Sequence, residues 1–251
     1  MVYFVGAGCG APDLITLRGA KLLGQADAVI YAGSLVNPEL LELTKADCQI
    51  YNSAHMTLEE ITAVMLEMES MGKMTVRLHT GDPCLYGAIR EQMDCLDHKG
   101  ISYEYVPGVS SFCGAAAALQ AEYTLPEVSQ SVVITRMAGR TPVPERESIA
   151  SFAVHGATMV IFLSTGMLPA LREELIKGGY SPKTPAAIVY KASWPEEKTV
   201  RGTVDKLPEM AAENGIQKTA LILVGDFLKG CKERSKLYDP SFTHEFRKGT
   251  Q

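Results

Sequence analysis

The chain has 251 residues, of which 46% are apolar and 21% charged, a globular composition that excludes disorder and collagen-like order. Its net charge of −5 lacks the basic balance of proteins that bind DNA or RNA, so we expect no nucleic-acid partner. The charge-free stretch at residues 105–121 contains proline, glycine and serine and is too short to span a membrane. Since the start of the chain shows no basic leader segment, the sequence predicts a cytoplasmic protein without a membrane partner.

The cysteines and histidines predict neither disulfides nor a metal site. The six cysteines, at positions 9, 48, 84, 95, 113 and 231, form no C-x-x-C pair. The five histidines are scattered, and no two of them lie four residues apart on a predicted helix. We therefore expect reduced thiols and no metal bound by the protein.

Apolar strands alternate with helices along the chain. In the first half, strands are predicted at residues 2–5, 28–31, 75–78 and 103–106, and helices at 16–25, 58–71 and 88–96. The strands at 2–5 and 28–31 are unbroken apolar runs, which is typical of a parallel sheet buried on both faces. After a helix of small residues at 111–119 the alternation restarts, with strands at 130–135, 158–163, 186–190 and 219–224 and a helix at 168–177.

The break between these two series predicts the domain organisation. Residues 122–127 contain Pro126 and show little periodicity, so we place the boundary there. The expected fold class is α/β, with two α/β domains at residues 1–121 and 122–251 and a cleft between them. The second domain is expected to end in a polar tail that begins at Lys229.

A glycine-rich loop, Gly6-Ala7-Gly8-Cys9-Gly10-Ala11, follows the first strand and fits the G-x-G-x-x-[GA] pattern of dinucleotide-binding proteins. A nicotinamide-binding unit also needs an acidic residue at the end of the second strand. That strand ends instead in Tyr31-Ala32-Gly33-Ser34. Three interpretations stay open at this point: a dinucleotide site, a tight turn that lets strand and helix pack closely, and a loop that shapes a substrate cleft.

Two other loops follow predicted strands. They are His79-Thr80-Gly81-Asp82-Pro83-Cys84-Leu85-Tyr86-Gly87 and Pro107-Gly108-Val109-Ser110-Ser111-Phe112. Loops in this position lie at the carboxyl edge of a parallel sheet, where open α/β folds bind ligands. The alternatives are a surface turn for the first loop and a helix cap for the second.

Together with Tyr31-Ala32-Gly33-Ser34-Leu35-Val36, these loops resemble the tetrapyrrole methylases, the S-adenosylmethionine-dependent enzymes of sirohaem and cobalamin synthesis. The similarity extends from Val2 to about Phe227. The segment 31–36 is most similar to the precorrin-4 C11-methyltransferase branch. The first loop also lacks the Gly-Pro-Gly-Asp that is usual in uroporphyrinogen methylases.

The resemblance implies a cobalamin-biosynthesis enzyme that methylates C11 of precorrin-4 or cobalt-precorrin-4. Sibling methylases that act at C20 or C17, or on uroporphyrinogen III, remain the alternatives. A diphthine synthase and a nucleotide-binding regulatory domain without chemistry are more distant ones.

The resemblance also implies which residues bind the methyl donor. It implies a homodimer of two-domain subunits, with S-adenosylmethionine held between the domains and away from the glycine-rich loop. The positions that match the family's donor contacts are Thr80, Gly81, Asp82, Leu85, Ser110, Ser111, Leu163, Ala192, Thr219 and Ala220. Asp82 is expected at a solvent-exposed edge. Cys9 stands where many relatives have proline, so no donor contact is assigned to it.

The tetrapyrrole implied by the resemblance carries many carboxylates and needs local positive charge. The basic segment at residues 131–146, which contains Arg136, Arg140 and Arg146 against one acidic residue, is the candidate to bind them, with Arg136 and Arg140 as its main contacts and a solvated surface loop as the alternative. The secondary candidates are His79, Tyr86 and Lys191, although a single histidine after a strand is more often structural. No catalytic residue is nominated, because the methyl group of a sulfonium is already activated and the reduced macrocycle supplies the nucleophilic carbon.

Overall fold

The computed structural model describes residues 1–230 and 235–250 and divides the chain into two compact units. The first unit comprises Met1–Ala115 and Lys191–Glu197, and the second comprises Ala116–Tyr190 and Lys198–Gln251. Each unit contains a sheet with helices, which confirms the predicted α/β class. The two units divide before residue 121, and the division into domains 1–121 and 122–251 stays a prediction. Cys231 and part of the predicted polar tail lie outside the described residues.

The first unit is built on a parallel sheet of five strands in the order β3-β2-β4-β1-β5. The strands are β1 (Val2–Gly6), β2 (Ala28–Tyr31), β3 (Gln49–Asn52), β4 (Thr75–His79) and β5 (Tyr103–Val106). The helices are α1 (Leu17–Gln25), α2 (Leu58–Ser70), α3 (Arg90–His98) and α4 (Ser111–Leu119), the last of which continues into the second unit.

Both faces of this sheet are covered by apolar side chains. Phe4 and Ile30 belong to the cluster that includes Met65 of α2 and Leu96 of α3. Val5 and Val29 belong to a second cluster that includes Leu23 of α1. This two-sided burial explains why the central strands are nearly continuous apolar runs. The edge strand β3 is largely exposed and polar, so its sequence lacks the signal that predicts the other four.

The second unit has a mixed sheet of five strands in the order β6-β7-β10-β8-β9. The strands are β6 (Val132–Arg136), β7 (Thr158–Phe162), β8 (Pro185–Tyr190), β9 (Lys198–Thr203) and β10 (Ala220–Val224). The helices are α5 (Ile149–Ala153), α6 (Leu168–Lys177) and α7 (Leu207–Glu213). Only β6 and β7 pair in parallel; β10 is antiparallel to β7 and β8, and β8 is antiparallel to β9. The parallel pattern of the first unit therefore does not continue. The connection from β8 to β9 contains no crossover helix, as an antiparallel pair permits. Within the described part of the chain, no helix is both long and apolar enough to cross a membrane.

Candidate functional site

Three glycines bring the loops after β1, β4 and β5 together at the carboxyl edge of the first sheet. A Cβ atom added to Gly6 would lie 2.6 Å from the Cα atom of Gly108 and 2.6 Å from the carbonyl oxygen of Gly81. A Cβ atom on Gly108 would overlap that same oxygen. Only residues without a side chain allow this backbone contact, so positions 6 and 108 need glycine.

The backbone of the glycine-rich loop is already hydrogen-bonded to the loop after β4. The amide of Gly81 donates to the carbonyl of Gly8 over 2.7 Å, and the amide of Gly8 donates back to Gly81 over 3.3 Å. The amide of Ala7 donates to the carbonyl of His79 over 2.7 Å. A phosphate-binding loop needs amides that point at the ligand, and these amides point at protein carbonyls. The structure favours the tight-turn interpretation of this loop.

Residues 191–197, which connect β8 to β9, pack within the first unit against the same loop. The Ser193 hydroxyl accepts a hydrogen bond from the Ala11 amide over 3.0 Å and lies 3.3 Å from the sulfur of Cys9. The indole of Trp194 occupies the space where a side chain at Gly10 would project. The glycine at position 10 is thus explained by packing, without a bound nucleotide.

Asp82 is a buried anchor between two loops. Its side chain is 9% exposed, so the expectation of a solvent-exposed edge at this position is wrong. One carboxylate oxygen accepts hydrogen bonds from the Cys84 amide over 2.8 Å and from the Tyr105 hydroxyl. The other accepts from the Gly108 amide over 2.9 Å. The carboxylate points into the protein because its donors come from the strand and loops behind it.

The hydrogen bonds keep this buried carboxylate ionised. Burial by itself raises the pKa of Asp82, but hydrogen bonds from Cys84, Tyr105 and Gly108 outweigh it and hold the pKa below its ordinary value. The pKa of Tyr105 is raised, first by burial and then by its bond to the charged carboxylate. Tyr105 therefore stays protonated and acts as a permanent donor to Asp82.

The residues predicted to bind the donor in the first unit lie close together around Gly81. A Cβ atom on Gly81 would lie 3.4 Å from the Ser111 amide nitrogen and 3.5 Å from the Cα atom of Ser110. The glycine also has a φ angle of 60°, which other residues rarely adopt. Thr80 and Leu85 flank it on the same loop, and Ala192 lies near Gly114 in α4.

The remaining predicted donor contacts lie at one edge of the second sheet. Because β7 and β10 run antiparallel with Ile161 opposite Ile222, the end of β7 meets the start of β10. Leu163 and Thr219, which stand at these two ends, have φ angles of 53° and 57°. Leu163 is also 67% exposed. A positive φ is costly for a β-branched threonine, and such strain is concentrated at binding and switch sites.

The comparison with protein families matches residues 1–208 to the Tetrapyrrole (Corrin/Porphyrin) Methylases. The chain belongs to this family. It is 54% identical over 248 residues to the cobalt-precorrin-4 C(11)-methyltransferase of Methanocaldococcus jannaschii, covering 98% of this chain and 96% of that protein. It is 46% identical over 251 residues to the precorrin-4 C(11)-methyltransferase of Pseudomonas aeruginosa, covering 99% of each.

Solved structures of tetrapyrrole methylases share the fold. The X-ray structure of a cobalamin biosynthetic enzyme, the cobalt precorrin-4 methyltransferase CbiF, matches with a TM-score of 0.89 and 49% identity over 90% of this chain and 95% of that one. The uroporphyrin-III C-methyltransferase of Thermus thermophilus, solved with S-adenosylhomocysteine, matches with a TM-score of 0.75 and 26% identity over 91% and 98% of the two chains. The resemblance to this family that the loop motifs indicate is thereby confirmed.

His79, a predicted substrate contact of this methylase, is buried at the end of β4 and is only 4% exposed. Its ring stacks on Phe4 with centroids 6.4 Å apart. Burial, assisted by the charge of Arg77, lowers the pKa of His79 to about 3. Since a neutral, buried ring cannot offset a substrate carboxylate's charge, the structural interpretation of His79 fits better.

The two main arginine candidates for binding carboxylates lie in the second unit, and they differ in their hydrogen bonds and exposure. The guanidinium of Arg136 donates to the carbonyls of Met137, Thr141 and Pro142 over 2.9–3.2 Å, so it holds its own loop together. Arg140, on the same loop, is exposed. The structure thus leaves Arg140 as the better candidate of the pair.

The other two substrate candidates lie at the first unit's surface. Tyr86 is 44% exposed and has a φ angle of 57°. Lys191 forms an ion pair with Glu196 at 3.1 Å, and its ammonium lies 5.2 Å from the centre of the Trp194 ring. Over residues 1–230 and 235–250, no group of three histidine, cysteine or acidic side chains is arranged to hold a metal ion.

Tyr105 and Ser193 are two residues of this edge that the sequence does not predict. Tyr105 lies 23 residues from Asp82, and Ser193 lies 182 residues from Ala11. Neither belongs to the loop motifs of the family resemblance, and a tyrosine within a strand or a serine after one carries no distinctive signal. Their contacts follow only from the tertiary fold.

Proposed function

We propose that this chain transfers the methyl group of S-adenosylmethionine to C11 of cobalt-precorrin-4 or precorrin-4 in cobalamin biosynthesis. The observation that carries the proposal is the pair of relatives at 54% and 46% identity, which are named for this activity and match over nearly their whole length. Methylation at C20 or C17, or of uroporphyrinogen III, has no comparable support.

The edge of the first unit fits a donor such as S-adenosylmethionine. Gly81 leaves open the space that a side chain would fill beside Ser110 and Ser111, so a ligand can approach the backbone there. The buried carboxylate of Asp82 faces inward and does not contribute to this surface. Our proposed donor contacts are Thr80, Gly81, Asp82, Leu85, Ser110, Ser111 and Ala192 in the first unit and Leu163, Thr219 and Ala220 in the second, with backbone rather than the side chain of Asp82 facing the ligand.

S-adenosylmethionine supplies a methyl group that is activated by its positive sulfur. The electron-rich C11 of the macrocycle forms the new carbon–carbon bond as the sulfur–carbon bond breaks, and the bonding pair stays on sulfur in neutral S-adenosylhomocysteine. The positive charge passes to a conjugated nitrogen of the macrocycle. In precorrin-4 the proton of that nitrogen leaves to solvent, and in cobalt-precorrin-4 the metal complex keeps the charge. No strong base is required, so the protein's contribution is alignment and exclusion of water, and alignment supplies about 7–11 kcal/mol in favourable cases.

An anionic tetrapyrrole needs positive and hydrogen-bonding groups to hold its carboxylates. We propose Arg140 as the leading contact, with Lys191 and Tyr86 as further ones; Arg136 and His79 remain weaker candidates because both are engaged or buried within the protein. A homodimer in the cytoplasm is the proposed working state, on the basis of the family resemblance.

The proposal is tested with purified enzyme and S-adenosylmethionine carrying a ¹³C methyl group. Precorrin-4, cobalt-precorrin-4 and uroporphyrinogen III are supplied in separate reactions, and products are analysed by mass spectrometry and NMR. We expect one added methyl group on a precorrin-4 form, at C11, and none on uroporphyrinogen III. Methylation of uroporphyrinogen III alone, or at C17 or C20, would overturn the proposal.

A further inference from the structure

We propose that Tyr105 is a positioning residue for methyl transfer, holding Asp82 inward so that the loops at residues 80–85 and 107–111 keep the arrangement that binds the donor. The proposal rests on the proposed function, because it deepens the account of the same donor site. It concerns a residue outside the motifs that identify the family.

The Tyr105 hydroxyl occupies the centre of a closed set of hydrogen bonds. It donates to one oxygen of Asp82 and accepts from the Cys84 amide over 3.1 Å. The same Asp82 oxygen accepts from that amide over 2.8 Å, so the three groups form a triangle. The second Asp82 oxygen accepts from the Gly108 amide over 2.9 Å. One phenol on β5 thus fixes a carboxylate and an amide of the loop after β4, and through the carboxylate it also fixes the loop after β5.

These bonds act on the part of the edge proposed to bind the donor. Gly81 is the residue before Asp82, and its carbonyl contacts Gly108 so closely that no side chain fits between them. Ser110 follows Gly108 by two residues and is 7% exposed. A shift of Asp82 therefore moves Gly81 relative to Ser110. An error of about 1 Å in such a site is enough to lower a rate by as much as 100-fold.

Loss of the hydroxyl leaves the charged Asp82 with fewer donors in a buried place. A buried group that loses a partner carries its desolvation penalty, and the group then moves toward another donor or toward water. Either response rotates the carboxylate out of its present position. We expect this misalignment to weaken donor binding, and not tetrapyrrole binding, because no proposed tetrapyrrole contact takes part in this set of bonds.

The same strand supplies a matched control. Tyr103 is also a tyrosine of β5, and its hydroxyl donates to Asp97 over 3.1 Å at the surface of α3. That bond does not involve the loops at residues 80–85 and 107–111. Both Tyr103→Phe and Tyr105→Phe remove a hydroxyl oxygen from β5. Only Tyr105→Phe removes it next to the loops proposed to bind the donor.

The test measures the affinity for S-adenosylhomocysteine by calorimetry and the KM values for donor and tetrapyrrole. For Tyr105→Phe we expect the dissociation constant and donor KM to rise about fivefold to tenfold, consistent with a lost hydrogen bond to a charged group, while the tetrapyrrole KM stays within twofold. For Tyr103→Phe all three values should stay within about twofold of the wild type. Equal donor affinity in Tyr105→Phe and wild type, or an equal loss in both variants, would overturn the proposal.

Asp82→Asn provides a second route to the same result, and it keeps the test decisive if Tyr105→Phe folds poorly. It should weaken donor binding to a similar degree, and the double variant should lose less than the product of the two single losses, because both act through one set of bonds. Independent, multiplicative losses would contradict the proposal. Since S-adenosylhomocysteine binding requires no acceptor, a wild-type chain that binds it without methylating precorrin-4 contradicts the proposed function and leaves this test intact.

Discussion

The two units order the edges of their sheets by different means. In the first unit, the loops after β1, β4 and β5 are joined by backbone contacts at Gly6, Gly81 and Gly108 and by the buried carboxylate of Asp82. In the second unit, two of the predicted donor contacts, Leu163 after β7 and Thr219 before β10, are held at positive φ angles. The first edge is held together by close backbone contacts at Gly6 and Gly108, and the second stores local backbone strain.

This difference predicts opposite responses to small changes in side-chain size. Adding one carbon atom at the first edge should separate loops that now touch. Removing side-chain atoms at the second edge should relieve strain and stabilise the fold at the expense of binding.

The largest effect is expected for Gly108→Ala. The new Cβ atom would overlap the carbonyl oxygen of Gly81 and lie 2.7 Å from the Cα atom of Gly6, and neither backbone atom can move as a flexible side chain does. We expect a loss of about 3 kcal/mol of stability and about 100-fold weaker donor binding, measured by thermal unfolding and calorimetry. The control is Gly166→Ala, where no heavy atom lies within 4 Å of the added carbon. Similar behaviour of both variants would contradict the close-fit account.

The buried ring of His79 should make the first unit's stability depend on pH. Its pKa is lowered to about 3 in the folded chain, so the unfolded chain binds a proton at a pH where the folded chain does not. This contribution to the free energy of unfolding is fully present above the ordinary pKa of about 6.5 and is lost as the pH falls from there toward 3. At pH 5 the loss amounts to about 2 kcal/mol.

Chemical denaturation at pH 7 and pH 5 checks this dependence. The His79→Asn variant should lose less stability between pH 7 and pH 5 than the wild type does. The control is His98→Asn at an exposed position, which should lose as much stability as the wild type. An unaltered pH dependence in His79→Asn would show that the ring is accessible to protons in the folded state.

Arg140→Ala tests the tetrapyrrole site of the second unit. We expect the tetrapyrrole KM to rise about threefold to fivefold, the range of an exposed charge interaction, with the donor KM unchanged. Arg146→Ala is the control, since this side chain is 87% exposed and its nearest acidic partner is its neighbour Glu147 at 3.7 Å. An equal rise in both KM values, or an equal effect of both variants, would remove Arg140 from the site.

The smallest effect is expected for Thr219→Gly. Glycine adopts a positive φ without strain, which should raise the free energy of unfolding by about 1–2 kcal/mol. The greater freedom of glycine in the unfolded chain lowers it again by about 0.5–1 kcal/mol. The variant should therefore be slightly more stable and bind the donor less well. Gln120→Gly, at a φ of 49° outside the proposed site, should gain stability without losing affinity. Unchanged affinity in Thr219→Gly would show that strain at this edge is unrelated to the donor.

Much of the first unit could be predicted from the sequence because its central strands are buried on both faces. Val29 and Ile30 in β2 are fully buried and form the apolar run that marks this strand, and Val76 and Leu78 in β4 are fully buried on either side of Arg77. The edge strands β3 and β9 are largely exposed, so no such run marks them. The antiparallel pairings of the second sheet depend on connections that apolar runs do not encode.

The loop motifs predicted which segments meet at the candidate site, but not how individual side chains are oriented. Asp82 lies in the predicted loop, yet its inward orientation depends on Tyr105, which only the fold brings near. Arg136 lies in the predicted basic segment, yet its guanidinium is taken by carbonyls of that same segment. In both cases a local partner competes with a ligand for the side chain, and a sequence pattern does not reveal that competition.

We propose that the first unit binds the methyl donor at the loops after β4 and β5, and that the glycine-rich loop after β1 is a packed structural turn. A crystal structure with S-adenosylhomocysteine distinguishes the two loops as the ligand site. We expect ligand contacts with the backbone at Gly81 and Ser110–Ser111, with the hydrogen bonds between Asp82 and Tyr105 intact. A ligand lying against residues 6–11, with the side chain of Trp194 displaced from Gly10, would contradict this proposal.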